Sequence, residues 1–481
     1  MKKKLGILGL VAIMLLSFNA CDNGSTSSDD KKGQQTSDPS NPNNPNGPNG
    51  STGSDDTTED YEDMLDYAVR LFEDLDIDGG IKQINKAYAN TKNDTTKMYY
   101  ALARLACIST NADTVKFMRE TCGFESYPNK LNALIDANWW EDCVKEGFAE
   151  KVAKANPNGL NKALDELLKI FTATYNEVVE ISKGMGQSTV TLPAKLIEAF
   201  ELEELFDTSD IRAGKAELDV VIAAMGLAKG GLEYVSAFDW TFDTSSIKTN
   251  MDVDDFVKAV QSGTKLLTTT NKERLALSKK SFIDAVNLAM SSYDYIIGDN
   301  NVYPAEIKDT LKEGNIFYKA AKAFKDALEK GGTFCVPDAD VFELKDWPTS
   351  ESDDWLLKID CGKLFSDGVL DKAVEKDSGK VKFYTTCDWW YEYYDGNTWK
   401  YDDSYDDYEA PLAGSFYSVH EKNVKDVKAQ IPENATSSYW RCSTDLAIKI
   451  RLPDCITIKG MDEKERETIL PIWGERTREY D

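Results

Sequence analysis

The side chains best suited to chemistry crowd into one run, Trp389-Trp390-Tyr391-Glu392-Tyr393-Tyr394-Asp395-Gly396-Asn397-Thr398-Trp399-Lys400-Tyr401. Aspartates and a glutamate follow at once at positions 402, 403, 406, 407 and 409, so residues 388–409 hold eight acids against Lys400. Asp395-Gly396 between β-prone flanks predicts a hairpin turn. Alternation along the first arm sets Trp390, Glu392 and Tyr394 on one face and Trp389, Tyr391 and Tyr393 on the other. If one face packs inward, the other is left to offer rings. Rings stack on neutral sugars while carboxylates accept from hydroxyls, and the same set suits a cation through its π faces. The candidate ligand platform is therefore Trp389, Trp390, Tyr391, Tyr393, Trp399 and Tyr401. The competing reading is an aromatic core hairpin followed by a solvated acidic loop, because strands ordinarily use Trp and Tyr for packing.

A second constellation is Asp74-Leu75-Asp76-Ile77-Asp78-Gly79. Carboxylates at alternate positions, then glycine, imitate a calcium loop, with Asp74, Asp76 and Asp78 as candidate ligands. Lys82 and Asn85 stand where further ligands belong. The alternative is a polar inter-helix turn with Asp78 near the N-cap of the next helix. His420 is the only histidine and lies in a segment, residues 414–419 and onward, that reads as a strand end. The chain has no G-x-S-x-G, phosphate-binding loop, H-E-x-x-H or dinucleotide fingerprint, so no catalytic residue and no cofactor is expected. Paired carboxylates could serve a hydrolase, but among 83 acids they discriminate nothing.

Helical periodicity dominates residues 59–330. Met64, Tyr67, Ala68, Leu71 and Phe72 recur at three- and four-residue steps, Gly79 and Gly80 interrupt, and Ile81, Ile84, Ala87 and Tyr88 resume. Longer helices are predicted over 160–181, 213–238, 274–297 and 305–328, the last closed by Gly331-Gly332. One is lean on one side through Ala223, Ala224, Gly226, Ala228, Gly230 and Gly231; close helix packing or a ligand groove would each account for that. Beyond Gly332 the period shifts towards two, predicting strands at 334–336, 341–344, 355–359, 381–394, 414–419, 446–452 and 456–458, with a short helix at 371–375.

The unit from Tyr61 to Asp94 resembles the tetratricopeptide repeat. Ala68 and Leu71 fall at the family's small and apolar positions of the first helix, and Gly80, Ile84 and Ala87 fall at those of the second. Met64 and Lys92 stand where the family has Trp and Pro, and a second unit begins near Met98-Tyr99-Tyr100. The resemblance implies stacked antiparallel helical hairpins and a surface for protein partners.

The N-terminus resembles a bacterial lipoprotein signal. Lys2, Lys3 and Lys4 precede an apolar run from Leu5 to Leu16, then Phe18-Asn19-Ala20-Cys21, which implies lipidation of Cys21. Residues 22–58 are rich in Ser, Thr, Asp, Asn, Pro and Gly, a composition that cannot bury a core. As a flexible tether they span roughly 30–40 Å. The net charge is −27, with −13 on residues 59–330 and −13 on residues 331–481. Such spread acidity argues against nucleic acid or an anionic membrane face as partner. Eight further cysteines lie at 107, 122, 143, 335, 361, 387, 442 and 455, with no C-x-x-C, so bridges are expected among the last five with connectivity open.

The expectation is thus a signal peptide (1–20), a lipidated tether (21–58), a helical-repeat domain (59–330) and a small β or α+β domain (331–481). The fold class is mainly α, with stacked antiparallel hairpins before the C-terminal domain. The expected function is a non-catalytic envelope lipoprotein, attached to a bilayer through acylated Cys21, whose helical repeats form an interaction or ligand-partnering scaffold. The alternative is a surface glycan-binding lipoprotein that uses the 389–408 hairpin. The partner is a protein or a neutral glycan, and not nucleic acid.

Overall fold

The computed structural model describes residues 60–131, 133, 148–193, 211–245, 251–298, 305–338, 346–404, 410–433 and 435–480, apart from residues 75, 132, 314 and 353. The signal, Cys21, the tether, Cys143, the strand predicted at 341–344 and residues 405–409 lie outside these. Two compact units are present. One holds the described residues up to Thr96 together with Leu192, Pro193 and Ile211, and the other holds the rest. The fold is mainly α with a β-rich C-terminal part.

In the first unit α1 (Tyr61–Glu73) and α2 (Ile77–Asn90) form a helical hairpin. Asp60 caps α1, Glu62 and Asp63 occupy its first turn and Arg70 its last, which complements the helix dipole. Met64, Leu65, Ala68, Val69 and Phe72 bury one face of α1 against Ile77, Ile81, Ile84 and Ala87 of α2. Tyr67, counted on that face by periodicity, is 46% exposed. The glycines correct the sequence reading, for Gly79 and Gly80 open α2 rather than interrupt it. A Cβ on Gly80 would lie 2.5 Å from Phe72 Cε1, so glycine is what lets the Phe72 ring seat on α2.

The second unit continues through α3 (Asp94–Ala106), which begins at the boundary, and α4 (Ala112–Lys116), which widens into a π-turn at Phe117–Thr121. Next come α5 (Phe148–Ala155), α6 (Asn161–Lys183), the short strands β1 (Thr189–Leu192) and β2 (Ile211–Gly214), α7 (Lys215–Val235), α8 (Val253–Gln261) and α9 (Lys272–Ile297). The helix predicted over 305–328 is two helices, α10 (Ala305–Glu313) and α11 (Ile316–Lys330), split where the sequence reads Gly314-Asn315. Gly331 ends α11 in the left-handed region at φ 64°, as expected of a C-terminal glycine.

Helix α7 packs on α6 and α9, and α9 on α11. Helix α9 packs on part of the lean side of α7: a Cβ on Gly226 would lie 2.9 Å from Ala285 Cβ and one on Gly230 3.2 Å from the Phe282 ring, whereas one on Gly231 would meet open space. Close helix packing therefore accounts for Gly226 and Gly230.

The C-terminal part begins with β3 (Thr333–Pro337), β4 (Trp355–Asp360) and α12 (Cys361–Leu364). It continues with β5 (Lys376–Asp377), β6 (Lys380–Val381), β7 (Phe383–Tyr394), β8 (Trp399–Ser404), β9 (Ala410–Pro411), α13 (Phe416–Lys428), β10 (Ser437–Arg451), β11 (Ile456–Ile458) and β12 (Glu467–Tyr480). One antiparallel sheet runs β11-β4-β3; the larger runs β12-β10-β7-β8, with β9 also on β7. Helix α13 covers one face of the larger sheet, where Val381, Phe383, Phe416 and Leu446 pack with Val253 and Val257 of α8. Ala327 and Leu328 of α11 likewise share a cluster with Cys361, Phe334 and Ile359.

Three expectations fail here. Residues 414–419, predicted as a strand, open α13: Ser415 accepts from Ser418 N, and Phe416, His420 and Val427 bury a helical stripe. Residues 371–375 are a turn and bend that run into a β-bridge, Val374 with Ile450, not a helix. Strand β12 goes unforeseen because its residue types, Glu467 to Tyr480, do not alternate apolar and polar: Leu470 and Trp473 are 45% and 46% exposed, while Glu475 and Thr477 are half-buried. Among the described residues, no helix is long and apolar enough to cross a membrane.

Candidate functional site

The two arms of the aromatic run pair as predicted. Asp395 Oδ1 accepts from Asn397 N and Thr398 N, each at 2.9 Å, and Gly396 takes φ 93°. These two backbone donors, Thr398 first, hold the Asp395 carboxyl below its ordinary range. The turn sets the register: Tyr394 faces Trp399, Glu392 faces Tyr401 and Trp390 faces residue 403.

On the other side of β7, strand β10 sets Tyr439 against Glu392 and Arg441 against Trp390. The sheet thereby divides the candidate rings. Trp389, Tyr391 and Tyr393 point to the α13 side, where they join Trp440, Val424, Val427 and Ile431. Trp389 and Tyr391 stack at 5.7 Å, and Tyr391 and Tyr393 at 6.2 Å. These three are packing residues. Trp390, Trp399 and Tyr401 stand on the outer face together with two rings absent from the predicted platform, Tyr394 and Tyr439. Trp390 meets Tyr439 edge-on at 4.6 Å and Tyr401 at 6.1 Å, while Tyr394 and Trp399 lie 5.6 Å apart. Trp399 and Tyr401 are each 58% exposed. Tyr439 lies 38 positions beyond Tyr401 and joins the face only through strand pairing, so nothing in the local sequence could reveal it.

Polar groups flank the rings. Glu392 lies between Tyr401 and Tyr439 in one row across three strands. In the next rows Arg441 Nη2 approaches Asp388 Oδ2 at 3.6 Å, and β12 sets exposed Arg478 against Arg441. The face thus offers ring surfaces, acceptors and guanidinium donors side by side. Such a face is suited to stacking and hydrogen bonding with a ligand.

The other candidates are occupied by structural roles. Asp76 accepts from Gly79 N at 3.0 Å and so caps α2, the role the sequence reading assigned to Asp78. Asp78 lies in the first helical turn, so the three aspartates do not share a loop, and among the described residues no acid, His or Cys cluster fits a metal ion. His420 is buried between α13 and the sheet, with Nδ1 3.0 Å from Thr444 Oγ1 and Nε2 2.8 Å from Thr477 Oγ1. Burial holds its pKa below the ordinary 6.5. Burial likewise pushes the Cys122 and Cys361 thiols up to about 12 and about 11, which keeps them protonated and unreactive.

Two buried polar knots on α7 escape sequence reading. Lys229 reaches Glu233 at 2.6 Å and Ser281 at 3.0 Å, and Ser281 donates to Glu233 at 2.6 Å. About four turns earlier on α7, Lys215, Asp219 and Ser182 repeat the arrangement. In each, a lysine–acid pair one helical turn apart is completed by a serine from a neighbouring helix, which satisfies buried charge. Compared with family models, curated proteins and solved structures, the chain matches none.

Proposed function

We propose that this chain is a non-catalytic, lipid-anchored binding protein that takes a neutral oligosaccharide on the outer face of the β8-β7-β10 sheet. The observation that carries this reading is the joint exposure of Trp399 and Tyr401 beside Trp390, Tyr394 and Tyr439 on one rigid face. Rings left in water at a hydrophobic cost of this size mark a contact surface. Three strands and three rows of side chains span roughly 10 Å by 14 Å at sheet spacings, enough for a short oligosaccharide lying flat. A cationic ligand fits less well, since Arg441 and Arg478 lie beside the rings.

A glycan array followed by calorimetry tests the reading. Trp399→Ala and Tyr401→Ala should each lower affinity at least tenfold, worth about 1.4 kcal/mol, with an unchanged circular dichroism spectrum. Wild-type protein that binds no glycan, or variants that bind as well as wild type, would sink it. The anchor is tested separately by intact mass of membrane-extracted protein, where an unmodified residue 21 would remove that part of the proposal.

A scaffold role for the helical hairpin is supported by one observation. Ala68 and Ala87 are wholly buried, and Gly80 seats Phe72, the close helix crossing expected of a tetratricopeptide-like unit. Co-purification of a stoichiometric protein partner, lost on substitution of exposed α1 residues such as Tyr67, would support it.

A further inference from the structure

Cys387 and Cys442 stand on neighbouring strands of the platform sheet with their sulfurs 3.7 Å apart. The register pairs Cys387 with Thr444 and Cys442 with Trp389, so the two cysteines are diagonal neighbours with both side chains on the α13 face. Cys442 is wholly buried and Cys387 is half-buried.

We propose that this pair is a redox site that closes to a disulfide across β7 and β10 when a disulfide oxidant is present. A bonded pair sits at roughly 2.0 Å, so rotation of both side chains and a small shear of the strands bring the sulfurs together. The exchange balances with glutathione disulfide as oxidant. The Cys387 thiolate, the more accessible, attacks one glutathione sulfur and expels glutathione thiolate. The Cys442 thiolate then attacks the Cys387 sulfur of that mixed disulfide and expels the second glutathione thiolate. The two thiol protons end on the two glutathiones, and the protein is two hydrogens lighter. In the reduced protein the hydrogen bond to Cys442, with burial, raises the Cys387 pKa.

The bridge would close a loop across 55 positions of sequence, which removes freedom from the unfolded chain. It would also bind together the two strands that carry Trp390 and Tyr439, whose ring contact defines the centre of the outer face. The site does not depend on what that face binds.

The test uses the full chain, both folded and refolded from denaturant, in buffers of reduced and oxidised glutathione. Peptide mapping after alkylation should find one linked pair of peptides, containing Cys387 and Cys442, in the oxidising buffer and none in the reducing one. The oxidised protein should melt roughly 5 °C or more above the reduced protein, and Cys387→Ala should abolish that difference. Free, alkylated Cys387 and Cys442 after refolding in oxidising buffer would overturn the proposal. So would a link from either cysteine to a different partner. Neither outcome needs a variant that folds.

Discussion

Trp389 and Trp390 are adjacent in sequence and lie on opposite faces of one sheet. Trp389 stacks on Tyr391 at 5.7 Å over the α13 core, whereas Trp390 meets Tyr439 at 4.6 Å on the water side. One peptide bond therefore separates a ring packed against α13 from a ring on the face proposed to bind. Tyr391→Ala, at a buried ring, should cost about 3 kcal/mol in urea unfolding, while Trp399→Ala should change stability by under about 1 kcal/mol. Equal losses from the two would mean that the faces are not distinct.

The Phe72–Gly80 contact predicts a steric penalty. Gly80→Ala should destabilise the hairpin by about 1–3 kcal/mol despite alanine's better helix propensity, because the new methyl meets the ring 2.5 Å away. Pairing it with Phe72→Leu should recover part of the loss. A stabilised Gly80→Ala protein would show that the ring can move aside at no cost.

The Lys229–Glu233 pair is buried, with side chains 14% and 5% exposed. Lys229→Met alone leaves an unpaired carboxylate beside Ser281 and should cost about 3 kcal/mol or more; adding Glu233→Leu should reduce that cost. Denaturant midpoints of the two singles and the double settle the coupling, and strictly additive losses would refute it.

His420 makes stability depend on pH. Its folded pKa lies below 6.5, so the folded protein binds fewer protons than the unfolded chain, and the contribution is complete above 6.5. It is lost as pH falls from 6.5 through the folded pKa. The negative charges of Glu475 on β12 and Glu421 on α13 partly oppose the shift. The urea midpoint of wild type should therefore fall more steeply between pH 7 and pH 5 than that of His420→Gln. Parallel profiles would exclude His420 as the titrating group.

Much of the fold was legible from spacing. The turn at Asp395-Gly396, the two-faced alternation of β7 and the end of α11 at Gly331 all follow from local rules, because each depends on residues within a few positions. Strand and helix were confused at 414–419 because Phe416, Tyr417 and Val419 suit a strand, and only the stripe continuing through His420 to Val427 shows the helix. Asp76 took the cap foreseen for Asp78 because α2 starts two residues earlier, at Ile77, and runs through its glycines.

The sequence alone determined that rings and acids would share a hairpin and that its two faces would differ, since side chains in a strand must alternate. It could not say which face would meet water. That was decided by α13, which lays Val424 and Val427 over Trp389, Tyr391 and Tyr393, and by β10, which carries Tyr439 and Arg441 to the opposite side. Burial is a property of what packs against a strand, and here the packing partners come from chain segments tens of residues away.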